Sequence, residues 1–177
     1  MDNYTLALIL SFVGFSLLLY GVTTKFRRKL IGFDATGLTL VTLHWYLLGA
    51  EVAAAVNGIF IANDLIALLL PDKIKAAIRN TVAGALMVGA GFLLFQQAHD
   101  ILPLMASALI LFAIQQKDLL RLRFLMIFAN LIWSIYGVIQ ETWIQVIFGI
   151  LITVVHVVRL IEASRDPGET KKNPEKN

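Results

Sequence analysis

The sequence predicts an all-α polytopic membrane protein with seven transmembrane helices, and three observations support that fold class. Of the 177 residues, 58% are apolar and 15% are charged, whereas charged residues make up about 25% of an average soluble domain. The apolar residues form almost uncharged runs of about 20 residues, the length that a helix needs to cross a hydrocarbon core about 30 Å thick. These runs do not alternate polar with apolar residues, as the strands of a transmembrane β-barrel would.

Seven such runs follow one another along the chain, and we predict a helix for each. They cover residues 4–22, 33–50, 52–70, 81–97, 101–116, 124–139 and 143–161. The fifth run is the weakest because its apolar stretch is short. The first run follows Asp2 and precedes a basic segment without a small-residue cleavage site, so we predict a retained span rather than a signal peptide.

Lysine and arginine occur only on alternate sides of the predicted spans. The connections after spans one, three and five contain four, three and three of them, and the last span with the C-terminal segment contains the other five of the 15. Because basic residues are enriched in cytoplasmic loops, this alternation predicts an N-terminus outside and a C-terminus in the cytoplasm. The basic loops are expected to attract anionic lipids. They lack interleaved aromatic residues, so we do not expect them to bind nucleic acid.

A short motif occurs twice at identical spacing, in the second and the sixth span. Leu43, Trp45 and Gly49 match positions 131, 133 and 137, and a short outer turn follows each motif. The chain is therefore predicted to contain two triplets of helices that run in the same direction, joined by an odd fourth helix. The predicted units are a first bundle at residues 1–75, a linker helix at 76–100, a second bundle at 101–162 and a disordered tail at 163–177.

Helical periodicity places each tryptophan on a face with small and polar residues. Thr42 shares a face with Trp45, and Asn130 and Ser134 share one with Trp133, because residues at i, i+3, i+4 and i+7 lie together. Ordinary packing explains such faces, since small and hydroxyl residues line interfaces between membrane helices and Trp anchors membrane boundaries. Their duplication makes a central cavity shared by both triplets an equally good interpretation.

Residues 133–137, W-S-I-Y-G, resemble the Trp-x-x-Tyr-Gly pattern in the second helix of each triplet of the SWEET and SemiSWEET sugar transporters. That superfamily, with its PQ-loop relatives, has the same three-one-three layout and the same orientation. Over nearly its whole length the chain is more similar to the YgjV family of bacterial inner-membrane proteins, through residues 44–49 (HWYLLG), Leu102-Pro103, Trp133 and Arg159. This resemblance implies the fold and a multi-pass location in the bacterial inner membrane rather than an activity.

The chain departs from the SWEET pattern at two points. In those transporters an Asn of the third helix faces the substrate together with the Trp. Asn57 matches it in the first triplet, but Phe148 stands at the corresponding place in the second. The proline hinge of those transporters is absent from the first span, and Pro103 lies at the outer end of the fifth. Both departures argue against sugar transport of the SWEET type.

Four ionisable residues within the spans are candidates for gating or coupling, because such residues are costly in a bilayer and usually face a bundle interior. They are Asp64, Arg159, His44 and His156. Asp64 and Arg159 lie toward the cytoplasmic ends of the third helices. Either they pair as an inner gate or staple, or Arg159 extends to the interface. The histidines are expected to be buried and hydrogen-bonded, with proton transfer as the alternative. No third ligand has a suitable spacing, so we expect no metal.

The sequence thus predicts a transporter or exporter of a small, sugar-like or otherwise neutral solute. It would work by alternating access at a midplane site lined by Trp45, Trp133, Asn57, Asn130, Thr42 and Ser134. The alternative is a scaffold, assembly or lipid-binding protein that keeps the fold and transports nothing. Because hydrolase, zinc-enzyme and nucleotide-binding motifs are absent, we expect neither an enzyme nor a cofactor. The expected partners are the lipid bilayer and an unidentified small molecule, and a homodimer remains open.

Overall fold

A computed structural model of the chain describes residues 2–23, 27–69, 76–116 and 119–165. Within these ranges the protein consists of seven α-helices and one short 3₁₀ helix without any strand, which confirms the all-α class. The α-helices are α1 (Asn3–Thr23), α2 (Arg27–Leu47), α3 (Glu51–Leu69), α4 (Ala76–Leu94), α5 (Ile101–Ala113), α6 (Leu119–Ile139) and α7 (Trp143–Arg165). The 3₁₀ helix, Ala98–Asp100, precedes α5. The predicted tail from residue 166 onward lies outside the described residues.

Among the described residues, five helices are long and apolar enough to cross a membrane: α1, α3, α4, α6 and α7. Their bounds agree with the predicted runs to within five residues. Helix α2 is not among them, and its apolar part contains Asp34, three threonines and His44. It begins at Arg27, six residues before the predicted run. Helix α5 has 13 residues, which gives it a length of about 20 Å, less than the thickness of a hydrocarbon core.

Six of the helices form a closed ring. Helix α2 packs against α1 and α3, and α6 packs against α5 and α7. Contacts of α1 with α7 and of α3 with α5 complete the ring, whereas α4 lies beside it and packs mainly against α3 and α5. The buried core includes Phe15 of α1, Trp45 of α2, Phe60 of α3, Trp133 of α6 and Phe148 of α7. Large apolar side chains therefore fill the centre of the ring.

Helices α1 and α2 approach each other closely at a pair of glycines. A Cβ atom at Gly14 would lie 2.9 Å from the carbonyl oxygen of Gly37, and one at Gly37 would lie 2.8 Å from the carbonyl oxygen of Gly14. Because both obstacles are backbone atoms, no side-chain rotation relieves them. Small residues of this kind allow membrane helices to pack without a gap. The contact holds the buried face of α2 against α1.

The turns after α2 and after α6 have the same backbone geometry. The charge distribution predicts that they lie outside, so we call their end of the bundle the outer end and the opposite end the inner end. At the end of α2, Gly49 has a φ of 73°, and the next residue donates its N–H to the carbonyl of Trp45 at 3.0 Å. At the end of α6, Glu141 has a φ of 54°, and the next residue donates its N–H to the carbonyl of Gly137 at 2.8 Å. This is the usual way in which a left-handed residue ends a helix. The turns therefore give a structural register for comparing the two halves.

That register differs from the one given by the sequence motif. The motif aligns the two tryptophans with each other, whereas the turns align Trp45 with Gly137. Trp133 consequently lies about one helical turn, or about 6 Å, further from its turn than Trp45 does. The difference arises because α6 continues for one more turn after the motif than α2 does.

Candidate functional site

The ring brings Trp45 of α2 and Trp133 of α6 together, although they come from opposite halves of the chain. Their ring centroids are 6.3 Å apart and the ring planes differ by 26°. Tyr136 lies against both, with centroids 5.2 Å from Trp45 and 5.9 Å from Trp133. Trp45 and Tyr136 are 0% exposed, and Trp133 is 8% exposed. We call these three residues the aromatic cluster.

Trp45 lies near the end of its helix, whereas Trp133 lies closer to the middle of α6 than to its end. Trp45 is two residues before the end of α2, and Trp133 is six residues before the end of α6. These separations correspond to about 3 Å and about 9 Å along the helix axes. The two tryptophans thus lie at different distances from the ends of their helices, and the midplane site predicted for them stays a prediction.

Polar side chains of the outer connections cover the aromatic cluster. Gln140 donates through Nε2 to the Tyr136 hydroxyl at 3.0 Å, and the same nitrogen is 3.3 Å from Nε2 of His99. The buried carboxylate of Asp100 accepts the backbone N–H groups of Gln96 and Gln97, both at 2.9 Å. Sequence reasoning treated His99, Asp100 and Gln140 only as turn residues. The signal that was available is the concentration of hydrogen-bonding side chains on two outer connections of a mostly apolar chain.

The other predicted lining residues direct their polar atoms into their own helices. The hydroxyls of Thr42 and Ser134 donate to the carbonyl four residues earlier, at 2.7 Å and 2.8 Å, and the amide of Asn130 does so at 2.7 Å. Asn57 is buried in α3. Because Thr42, Ser134 and Asn130 are the donors in these bonds, their side-chain oxygens stay available as hydrogen-bond acceptors. Their roles in binding a solute stay predictions.

His44 is a buried, hydrogen-bonded histidine beside the aromatic cluster. Its Nδ1 lies 2.9 Å from the carbonyl oxygen of Ala7 on α1, and its ring centroid lies 4.8 Å from that of Trp45. Because a carbonyl only accepts hydrogen bonds, Nδ1 carries the hydrogen. The geometry gives His44 a structural task, which is to connect α1 to the helix that carries Trp45.

The predicted ion pair between Asp64 and Arg159 does not form, although both residues belong to the described part of the chain. Arg159 pairs with Glu162 on its own helix at 3.0 Å, and both side chains are exposed. The carboxyl of Asp64 instead meets that of Asp34, within reach of a side-chain hydrogen bond. Asp34 lies thirteen residues before the end of α2, and Asp64 thirteen residues after the start of α3.

Connectivity explains this pairing. Residues equally far from the turn of a helical hairpin lie side by side, so Asp34 could have been found from the hairpin register alone. Arg79 of α4 extends toward the same place and donates through Nε to Oδ1 of the buried Asn63 at 2.9 Å. The positive charge of Arg79 thus lies near the carboxyl of Asp64. The hairpin of α2 and α3 thus contains an acidic pair with one arginine of α4 beside it.

His156 contacts an arginine that sequence reasoning counted only among the loop charges. Nη1 of Arg123 on α6 lies 3.1 Å from Nδ1 of His156 on α7, and His156 is 3% exposed. Within the described residues, no group of three or more His, Cys, Asp or Glu side chains is arranged to hold a metal ion. The signal that was available for Arg123 is its helical spacing from Asn130, since the two are seven residues apart and share a face.

Comparison with known proteins places this arrangement in a family. A family model named Imp-YgjV and described as a bacterial inner membrane protein matches residues 5–166. The chain belongs to this family. It is a multi-pass protein of the bacterial inner membrane, in agreement with its several membrane-spanning helices. A search of curated proteins and a search of solved structures each gave no match.

An inner-membrane location explains the many apolar side chains on the outside of the ring. Phe92 of α4 is 89% exposed, and Phe112 and Phe124 are also exposed. The last two line an open groove of about 440 Å³ between the end of α5 and the start of α6, which also includes Gln116 and Leu160. In a bilayer these surfaces contact lipid chains instead of water.

Proposed function

We propose that the protein transports a small solute across the inner membrane by relative movement of two triplets, α1–α3 and α5–α7. The observation that carries this proposal is the contact between Trp45 and Trp133. It joins α2 to α6 across the centre of the ring, although these two helices are not among the pairs that pack closely along their backbones. Side chains rather than backbones thus close the centre, and side chains can part without loss of the helix packing within each triplet.

The helix contacts support the three-one-three arrangement. Exchanging α1, α2 and α3 with α5, α6 and α7 turns the α1–α2 contact into α5–α6, α2–α3 into α6–α7 and α1–α7 into α5–α3. The set of contacts in the ring is unchanged, as is expected of a parallel repeat around an axis along the membrane normal. Helix α4 has no counterpart, which suits a linker. The distribution of basic residues supports an outside N-terminus and a cytoplasmic C-terminus.

In the proposed cycle the aromatic cluster is the outer closure of a path through the ring. Indole faces stack on apolar or sugar-like surfaces, and the oxygens of Thr42, Asn130 and Ser134, with the amide of Asn57, supply hydrogen bonds. Rocking of one triplet against the other opens the path to each side in turn. The proposal includes no chemical change of the solute and no cofactor. Phe148, where SWEET-type transporters have an Asn, instead stacks on Phe15 at 5.7 Å, so the two triplets contribute unequally.

A second candidate function is a membrane scaffold or lipid-binding protein that transports nothing. It is favoured by the burial of the aromatic cluster, since Trp45 and Tyr136 are 0% exposed. The hydrogen bonds that Thr42, Asn130 and Ser134 make within their own helices are also those of ordinary packing.

Accessibility of single cysteines separates the two functions. The natural chain has no cysteine, so each variant carries one thiol. Asn57→Cys and Ser134→Cys place the thiol at buried positions, one in each triplet. Three exposed positions are controls: Phe92→Cys for a lipid-facing thiol, Glu51→Cys for the outer surface and Glu162→Cys for the inner surface. Transport predicts that a membrane-impermeant thiol reagent reaches the two buried positions, at least one of them from both sides. If only the surface controls react, the scaffold is the better account and the transport proposal fails.

A further inference from the structure

The hydrogen bond between Arg123 and His156 fixes the state of the histidine. A guanidinium has five N–H donors and no acceptor, so Arg123 must donate to Nδ1 of His156 at 3.1 Å. The imidazole is therefore neutral, and its own hydrogen is on Nε2. That N–H group is buried and has no hydrogen-bond partner among the described residues. Nε of Arg123 is a second buried donor without a partner there.

The charged side chains around Arg123 and His156 give this region a net positive charge. Arg159 lies within electrostatic reach of Arg123. The carboxylate of Glu162 also lies within reach, but it is already paired with Arg159 at 3.0 Å. In the part of the chain that the structure describes, Arg123 forms no ion pair of its own. A guanidinium with a buried, unmatched donor thus lies beside a second unmatched donor, and an acceptor with negative charge would satisfy both donors and the charge of the guanidinium.

Arg123 also extends in the direction opposite to that expected of an anchoring residue. A Cβ atom at Gly149 would contact Ser134, and in the antiparallel register set by this contact Arg123 lies opposite Leu160. Its guanidinium nevertheless bonds to His156. His156 lies one helical turn before Leu160, and so further from the C-terminal end of α7. Arginines near helix ends ordinarily extend toward the headgroups. Arg123 points toward the middle of the membrane.

We propose that Arg123 and His156 bind an anionic group, a carboxylate or phosphate, of the transported solute. The inference rests on the proposed transport function, and it assigns a charge to a solute that the sequence predicts to be neutral. Arg123 lies two helical turns from Asn130 on the same face of α6. The anion site therefore continues the predicted solute-lining face of the second triplet toward the end where α7 stops. Arg123 and the Nε2–H group of His156 supply charge-assisted hydrogen bonds to the ligand.

The test uses the full-length protein in nanodiscs of neutral phosphatidylcholine, with inorganic phosphate and acetate as probes. Thermal unfolding is followed at constant ionic strength. The unfolding midpoint of the natural chain should rise with one of the probes and saturate, as linkage requires for a ligand of the folded state. Arg123→Gln should weaken the apparent affinity at least about tenfold, because it removes a charged hydrogen bond. The matched control is Arg121→Gln, an exposed arginine about 200° around the same helix, and it should bind as the natural chain does.

Nitrogen NMR of the three histidines keeps the test decisive if Arg123→Gln does not fold. A bound anion should shift the Nε2 resonance of His156, while that of His44 stays unchanged and serves as the internal reference. If both probes leave the unfolding midpoint and the His156 resonance unchanged, the inference is wrong. If only nanodiscs containing phosphatidylglycerol shift the His156 resonance, the anion is a lipid headgroup and the assignment to a solute is overturned.

Cysteine accessibility distinguishes a failure of this inference from a failure of the transport proposal. Two-sided labelling at Asn57 without any response to the probes would support transport and overturn the anion site. A response to the probes that depends on Arg123, without labelling of either buried cysteine, would support an anion site but overturn its assignment to a transported solute.

Discussion

Replacement of Gly149 by alanine tests the separation of α6 and α7 at a predicted site residue. A Cβ atom at Gly149 would collide with Oγ of Ser134, which donates to the carbonyl of Asn130 at 2.8 Å. The next nearest atoms are Cβ of Ser134 at 3.4 Å and the carbonyl oxygen of Asn130 at 3.5 Å, both ordinary contacts. The obstacle is therefore one hydroxyl oxygen. Overpacking of this kind lowers the free energy of unfolding by about 1–3 kcal/mol.

A double-mutant cycle isolates that atom. Ser134→Ala alone removes one hydrogen bond within a helix and should cost about 0.5–1 kcal/mol. The variant with both substitutions should be about as stable as Ser134→Ala alone, so the coupling energy should equal the cost of Gly149→Ala, about 1–3 kcal/mol. Unfolding by sodium dodecyl sulfate in mixed micelles, followed by circular dichroism, measures all four proteins.

Gly89→Ala is the matched control, because a Cβ atom there meets nothing within 4 Å. It should leave stability unchanged or raise it by up to about 1 kcal/mol through helix propensity. A double variant as unstable as Gly149→Ala would refute the assignment of the collision to Oγ. A Gly149→Ala variant as stable as the control would show that the helices are further apart than the structure has them.

Three further predictions concern the aromatic cluster, the outer turns and the acidic pair. Trp45→Leu or Trp133→Leu should abolish the same part of the near-ultraviolet circular dichroism, because the signal of stacked indoles needs both rings; two independent losses would refute their contact. Glu141→Gly should raise the free energy of unfolding by about 0.5–1 kcal/mol, and Gly49→Ala should lower it by about 1–2 kcal/mol, because both positions have a positive φ that glycine adopts without strain. Denaturant titration measures both changes, and two changes of the same sign would contradict this prediction. Asp64→Asn should raise the free energy of unfolding by about 1 kcal/mol in the same titration at neutral pH, because an amide donates a hydrogen bond to the facing carboxyl whereas a carboxyl must first take up a proton to do so. A loss of stability would refute this reasoning.

The number and order of the helices follow from the sequence, but their inner ends do not. Helix α2 begins at Arg27 and α6 begins at Leu119, both well before the apolar runs used to predict them. An apolar run measures the hydrocarbon core, whereas a helix continues into the headgroup region, where charged side chains reach water while the backbone stays hydrogen-bonded. The error is therefore largest where basic residues occur, which is the end that the charge distribution predicts to be cytoplasmic.

The wrong pairing of Asp64 has a different cause. Opposite charge made Arg159 attractive as a partner, but charge says nothing about which helices are neighbours. The hairpin of α2 and α3 brings Asp34 to Asp64 whatever their charges are. Arg123 was overlooked for a related reason, since its place in a basic connection hid its position on the same helical face as Asn130. Chain connectivity and helical phase, both readable from the sequence, are better guides to proximity than complementarity of charge.

The sequence predicted that the two tryptophans line one site, from a motif whose register differs from that of the turns, and this stagger explains how the two rings meet. In the register set by the turns, Trp45 is equivalent to Gly137, and Trp133 is equivalent to Val41. The two indoles therefore lie at two different heights along the helix axes, and at each height one indole is opposite a smaller residue. Because the two rings do not occupy the same height, they can stack with their centroids 6.3 Å apart. Two indoles at one level would force the triplets apart, and two small residues would leave a void, both of which close packing disfavours. Closure at the outer end is thus a consequence of the stagger, and in the proposed cycle a solute passes only after the triplets separate far enough to unstack the rings.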